Sequence, residues 1–158
     1  MKLSRAEVEE RYTNGTLKLA LIGMSNIGKS YSGMRLATHF DFNLIEVDKL
    51  IWERLGEQDM DAFAEWLGQP YSKGYEERER QSLQLESAAT VEAIGTTDRN
   101  PLLDTTGSVI YTGEDILKRL SDSWFTVYIE AAPEHLWELQ KMYFAQPKPL
   151  AWRSQFEV

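Results

Sequence analysis

The sequence predicts an α/β protein in which helices cover both faces of a parallel β-sheet. Short apolar segments typical of strands alternate with longer helical segments, and no internal repeat, low-complexity run or linker interrupts the alternation. A chain of 158 residues with 42% hydrophobic residues can bury one core. We therefore expect a single domain over residues 1–158, which begins with a helix over residues 1–15.

Four segments are predicted to be strands, because they are apolar and bounded by turn residues. They lie at 16–22, 42–47, 100–106 and 124–131. Helices are predicted between and after them, at 29–40, 49–56, 59–68, 73–93, 112–122 and 133–144. Two helix starts carry the pattern of a capping box, Ser4 with Glu7 and Thr112 with Asp115. Trp124 and Trp137 are predicted to lie in the core.

Composition narrows the classes of function. The formal net charge is -8, which argues against a surface that coats nucleic acid, because phosphate backbones need clustered Lys and Arg. The chain has no cysteine, so disulfides and zinc-thiolate sites are excluded. No secretory signal and no membrane span are predicted, and we expect a cytoplasmic protein.

The segment LIGMSNIGKSYSG, residues 21–33, contains the complete pattern G-x-x-x-x-G-K-[ST] between a strand and a helix. In such a loop the backbone N–H groups and the helix N-terminus cradle phosphate, the lysine reaches the β- and γ-phosphates, and the serine holds Mg²⁺. The alternative is an ordinary glycine-containing turn with a surface lysine. The motif predicts a nucleotide site that takes ATP and Mg²⁺. Its residues are Gly23, Ser25, Asn26, Ile27, Gly28, Lys29, Ser30 and Tyr31.

Three carboxylates are placed by the strand pattern at the same edge of the sheet as this loop, because ligands bind beyond the carboxyl ends of parallel strands. Glu46 and Asp48 follow the second strand, and Asp104 ends the third. Glu46 and Asp104 are candidate metal ligands together with Ser30. Asp48 is a further candidate for function, because phosphoryl transfer needs both a metal-holding acid and a site for the acceptor. The alternatives are a solvated edge residue for Glu46 and a helix cap for Asp48.

From about residue 17 to 150 the chain resembles shikimate kinase, among the small P-loop kinases. The resemblance is carried by the phosphate loop, by FNLIEVDKLIWERLG, by LLDTTGSVIYTGEDILKRL and by WFTVYIEAAPEHLWELQ. It implies a P-loop NTPase fold with sheet order 2-3-1-4. It also implies transfer of the γ-phosphoryl group of ATP to a hydroxyl, with Asp48 contacting the acceptor and Glu46 near Mg²⁺.

The resemblance also implies substrate contacts that this chain alters. Three consecutive glycines of the family match Thr105, Thr106 and Gly107, so Thr106 and Gly107 are candidate substrate residues. The family's substrate-binding arginine matches Glu76. Arg80, one helical turn later, either replaces that arginine or pairs with Glu76.

The family closes an arginine-bearing lid over the phosphates, which matches residues 140–158 here. This region has Lys141, Lys148 and a single arginine, Arg153, so we expect a degenerate lid. Family members continue with further elements. Either the natural chain continues as well, or another element, such as a second copy in a homo-oligomer, covers the sheet edge.

Two functions follow from the sequence. The first is an ATP- and Mg²⁺-dependent kinase that phosphorylates a hydroxyl of a small molecule. The alternative is a non-catalytic nucleotide-binding or regulatory protein that kept the phosphate loop and lost the acceptor site and lid.

Overall fold

The computed structural model describes residues 2–145. Four short parallel strands form one sheet in the order β2-β3-β1-β4, as predicted. The strands are β1 (Leu19–Ile22), β2 (Asn43–Glu46), β3 (Pro101–Asp104) and β4 (Phe125–Tyr128). The helices are α1 (Arg5–Asn14), α2 (Lys29–Phe40), α3 (Val47–Leu55), α4 (Met60–Leu67), α5 (Tyr75–Ile94), α6 (Glu114–Ser123) and α7 (Leu136–Ala145).

The sheet has a separate apolar cluster on each face, which follows from the alternation of side chains along a strand. Ala20 and Leu103 face a larger cluster with Val47 and Ile51 of α3 and residues of α4, α5 and α6. Leu19, Leu21 and Leu102 face a smaller cluster that includes Leu36 of α2. The result is a three-layer α/β/α arrangement, which confirms the predicted fold class.

Each strand is shorter than the sequence predicts, because only four residues of each join the ladder. The first strand begins at Leu19 rather than at residue 16. Ahead of it, the Leu17 amide donates to the Asn100 side chain at 3.2 Å, outside the sheet. The third and fourth strands lose residues mainly at their carboxyl ends, where β3 ends at Asp104 rather than at residue 106 and β4 ends at Tyr128 rather than at residue 131.

Trp124 is fully buried, as predicted, whereas Trp137 is 62% exposed, so its predicted place in the core is wrong. Trp137 lies on α7, where its ring packs 5.1 Å from the Lys141 ammonium. Among the residues that the structure describes, no helix is both long enough and apolar enough to cross a lipid bilayer.

Candidate functional site

The phosphate loop connects β1 to α2, and its glycines have conformations that other residues avoid. Gly28 has φ 100° and occupies the N-cap position of α2. Gly23 has φ 153°, and a Cβ there would lie 2.6 Å from the carbonyl oxygen of Ile129. Asn26 also has positive φ, at 63°. The loop therefore turns sharply where the motif predicts, and α2 begins directly at Lys29.

Lys29 lies inside the curve of this loop and is 7% exposed. Its ammonium donates hydrogen bonds of 3.0 Å to the carbonyl oxygens of Gly23 and Met24. These bonds offset part of the cost of burying the charge. They also fix the ammonium at the N-terminal end of α2, where the helix dipole and the charge act on the same region. The interpretation of Lys29 as an ordinary surface lysine is therefore wrong.

A concave pocket of about 240 Å³ opens in front of the loop. Its walls join three parts of the chain that the sequence predicted to meet: the phosphate loop, the start of α3 and the loop after β3. Among the described residues that line it, Lys29 alone carries positive charge and Asp48 alone carries negative charge. The lining residues are Ser25, Asn26, Gly28, Lys29, Ser30, Tyr31, Asp48, Thr105 and Gly107.

The three predicted carboxylates lie at the carboxyl ends of β2 and β3, in neighbouring positions. Glu46 is in register with Asp104, which is in register with Leu21 of β1. Asp104 is 6% exposed, Glu46 is partly buried, and Asp48 alone of the three lines the pocket. The helix starts at Val47 with Glu46 in the N-cap position, so the alternative of a capping role for Asp48 is wrong.

The loop after β3 is held by the hydroxyls of the two threonines that precede Gly107. The Thr105 hydroxyl donates to the carbonyl oxygen of Leu21 at 2.8 Å. The Thr106 hydroxyl donates to Glu86. Thr106 is 4% exposed and is not among the pocket-lining residues, unlike the expectation that its hydroxyl meets a substrate. The reason is that the neighbouring carboxylate is a stronger acceptor and lies behind the loop.

Glu86 is a buried carboxyl that the sequence analysis missed. It lies on α5, is 2% exposed and accepts hydrogen bonds from Thr106 and Ser108. Burial raises the pKa of this carboxyl to about 7, although both hydroxyls lower it; the charge of Asp48 raises it further. A signal exists in the sequence: Tyr75, Glu79, Ser82 and Glu86 have helical spacing, and this row is the buried face of α5.

Arg80 lies away from the pocket. It is 64% exposed and pairs with Glu77 rather than with the expected partner Glu76. All three line a separate, open concavity at the start of α5. Arg78, on the same helix, donates from its Nε to the carbonyl oxygen of Leu67 at 3.0 Å. The arrangement does not bring an arginine of this helix to the phosphate loop.

The predicted lid is only partly described. Residues 140–145 belong to α7, and Lys141 there is exposed. Lys148 and Arg153 lie outside the described residues.

The oxygen donors at the pocket suit a hard divalent cation. Ser30 and Asp48 line it, and Asp104 lies at the adjoining strand end. Within residues 2–145, no group of three or more His, Asp and Glu side chains is placed to hold a metal. Mg²⁺ is a hard cation that keeps several waters and takes substrate phosphates as ligands besides one or two protein oxygens.

No protein-family model matches this chain, and no curated protein matches it significantly. Solved structures do match. A shikimate kinase from Bacteroides thetaiotaomicron aligns with TM-score 0.62 and 18% identity over 87% of this chain and 69% of that one. A shikimate kinase from Acinetobacter baumannii, in complex with shikimate, aligns with TM-score 0.62 and 20% identity over 87% and 69%. A shikimate kinase from Aquifex aeolicus aligns with TM-score 0.57 and 18% identity over 88% and 75%.

These similarities show that the chain has the P-loop fold of the shikimate kinases, as the sequence analysis predicted. At such identities the fold is shared, and the activity has to be argued from the site.

Proposed function

We propose that the protein transfers the γ-phosphoryl group of ATP to a hydroxyl of a small molecule, in the presence of Mg²⁺. One observation carries the proposal: the phosphate loop with Lys29 and the residue Asp48 line one and the same pocket. Phosphoryl transfer needs little covalent chemistry from the protein, so positioning and charge at such a pocket can supply most of the catalysis. The same reasoning supports a cytoplasmic enzyme, since ATP is its substrate.

Each group has a role in this proposal. The backbone of residues 23–31 holds the phosphates, and Lys29 exchanges its carbonyl partners for phosphate oxygens and stabilises their charge. Ser30 would hold Mg²⁺, with the help of Glu46 or Asp104. When bound, Mg²⁺ neutralises charge on the phosphates. Asp48 orients the acceptor hydroxyl and takes its proton.

The acceptor that we propose is not a carboxylate such as shikimate. Glu76 stands where the resemblance implies an arginine, and Arg80 is paired with Glu77 away from the pocket. Asp48 lines the pocket of the phosphate loop, so a carboxylate bound in that pocket would meet a like charge. Gly107 and Thr105 line the pocket and are the residues of this loop that can contact an acceptor, because Thr106 is turned toward Glu86.

The alternative is a nucleotide-binding protein without kinase activity. The burial of Thr106 favours it, because a position that the resemblance assigns to substrate contact is here buried and hydrogen-bonded to Glu86. In that case the phosphate loop binds nucleotide and no acceptor follows.

Acceptor-dependent release of ADP distinguishes the two. The purified protein is incubated with Mg²⁺-ATP and a panel of small hydroxyl compounds that includes shikimate, neutral polyols and amino alcohols. We expect turnover with a non-carboxylate acceptor, lost in Lys29→Ala and in Asp48→Ala, with ATP affinity retained in Asp48→Ala. Asp122→Ala, at an exposed ion pair on α6, is the matched control. ATP binding without turnover on any acceptor would leave the non-catalytic alternative.

A further inference from the structure

We propose that Glu86 is a positioning residue that fixes the loop of residues 105–108 against the phosphate loop and thereby sets the affinity of the site for nucleotide. The proposal rests on the proposed nucleotide-binding function and adds a residue on α5 that touches neither nucleotide nor acceptor.

Glu86 holds the loop through two hydrogen bonds, one to each of its carboxyl oxygens. The Glu86 carboxyl uses one oxygen for the Thr106 hydroxyl and the other for the Ser108 hydroxyl, which is 2.7 Å away. The two hydroxyls are 3.3 Å apart. Gly107 lies between these two residues in the chain. Both flanks of Gly107 are therefore tied to a single side chain on a 20-residue helix.

Gly107 in turn packs on the phosphate loop. A Cβ built at this position would lie 2.9 Å from the Ser25 amide nitrogen and would overlap the Ser25 hydroxyl. Thr105 and Gly107 both line the pocket with Ser25. A shift of the loop away from Glu86 would therefore move one wall of the pocket and remove the support behind Ser25.

Burying a carboxyl at position 86 costs free energy, because the group loses its contact with water. Glu86 is 2% exposed, and an apolar side chain of similar size would avoid the desolvation of a carboxylate. The raised pKa of Glu86 records that cost. The charged group that acts on it from α3 is Asp48, a like charge; Thr106 and Ser108 offer hydroxyls. A polar group that is retained against this cost is explained by what its hydrogen bonds hold in place.

A double-mutant cycle on nucleotide affinity tests the proposal. The dissociation constant of Mg²⁺-ATP is measured by calorimetry for the wild type, Glu86→Ala, Ser108→Ala and the double variant. We expect each single change to weaken binding about tenfold, the equivalent of one hydrogen bond to a charged group. The double variant should bind no more weakly than Glu86→Ala, because both changes remove the same hydrogen bond between Ser108 and Glu86. Losses that multiply, or unchanged affinity, would overturn the proposal.

Control variants distinguish a loss of loop positioning from a general loss of stability. Glu92→Ala removes an exposed carboxylate from the same helix and should leave ATP affinity unchanged. Glu86→Gln keeps the size of the side chain and one acceptor oxygen, and should bind ATP more tightly than Glu86→Ala. If Glu86→Ala does not fold, the cycle is run with Glu86→Gln instead.

Failure of the proposed nucleotide binding can be distinguished from failure of the positioning claim. If the wild type does not bind ATP, the proposed function fails and amide hydrogen exchange decides the positioning claim alone. Residues 105–108 should then exchange faster in Glu86→Gln than in Glu92→Gln. Equal exchange in the two variants would overturn the claim that Glu86 fixes the loop.

Discussion

Gly107 and Ser25 are in direct contact, although they are 82 positions apart in the sequence. A side chain at position 107 would begin 2.9 Å from the Ser25 amide nitrogen. The contact joins the loop after β3 to the phosphate loop, and both line the same pocket. A pocket wall that depends on the absence of one Cβ is sensitive to the smallest substitution at that position.

We expect Gly107→Ala to weaken Mg²⁺-ATP binding and to lower the free energy of unfolding by about 1–3 kcal/mol, because the added methyl group overlaps Ser25. Gly95→Ala is the control, since a Cβ there meets nothing closer than 3.3 Å. Urea unfolding and ATP titration of both variants check the prediction. Unchanged ATP affinity in Gly107→Ala would show that the contact does not shape the site.

Tyr31 should contact the nucleoside rather than the phosphates. It follows Ser30, lines the pocket and is 61% exposed, and the Arg35 guanidinium donates to its hydroxyl at 3.1 Å. Since the loop takes the phosphates, the nucleoside must extend past it, and an exposed ring offers a stacking surface. Tyr31→Ala should weaken ATP binding roughly fivefold, about 1 kcal/mol.

The same variant should bind inorganic tripolyphosphate as tightly as the wild type does, because that ligand has no nucleoside. Tyr71→Ala, which removes an exposed tyrosine away from the pocket, should alter neither affinity. Equal loss for ATP and tripolyphosphate would place Tyr31 at the phosphates instead.

The buried carboxyl of Glu86 predicts a dependence of stability on pH. Its folded pKa is raised from 4.5 to about 7, so the folded state holds the proton more tightly than the unfolded state does. The contribution to stability is therefore fully present below about pH 4.5 and is lost as the pH rises through 7. The loss amounts to about 3 kcal/mol, from roughly 1.4 kcal/mol for each pKa unit.

Glu86→Gln cannot ionise and should lack this loss. The free energy of unfolding of the wild type relative to Glu86→Gln should fall between pH 5 and pH 8. Urea unfolding at four pH values in that range measures the difference, and a difference that does not change with pH would contradict the raised pKa.

Local patterns were enough to predict the fold and the phosphate loop. The spacing of Gly28, Lys29 and Ser30 after a strand fixes a conformation through the residues themselves. The Ser4–Glu7 capping box also formed as predicted. The same pattern at Thr112 did not form, because the N-cap is Gly113 and the Thr112 hydroxyl donates to the carbonyl oxygen of Val109. A cap depends on where the helix begins, and one residue of shift removes it.

Properties that depend on distant parts of the chain were not predictable from such patterns. The sequence pattern predicts both Trp124 and Trp137 in the core, yet only the first of the two packs in the apolar cluster with residues of α3 to α6, and Trp137 is 62% exposed. Arg80 pairs with Glu77 and not with the expected Glu76, although both glutamates lie in the same turn of α5. Glu86 contacts Thr106, which lies 20 residues further along the chain. Its helical spacing therefore indicates burial but does not indicate which residues it binds.

The most direct test of the account is the equilibrium binding of Mg²⁺-ATP to the wild type and to Lys29→Ala, with Lys118→Ala as the control for loss of one exposed positive charge. We expect saturable binding of one ATP to the wild type and to Lys118→Ala, and at least a hundredfold weaker binding to Lys29→Ala, about 3 kcal/mol. Equal affinity in Lys29→Ala and the wild type would contradict the assignment of this loop as the nucleotide site.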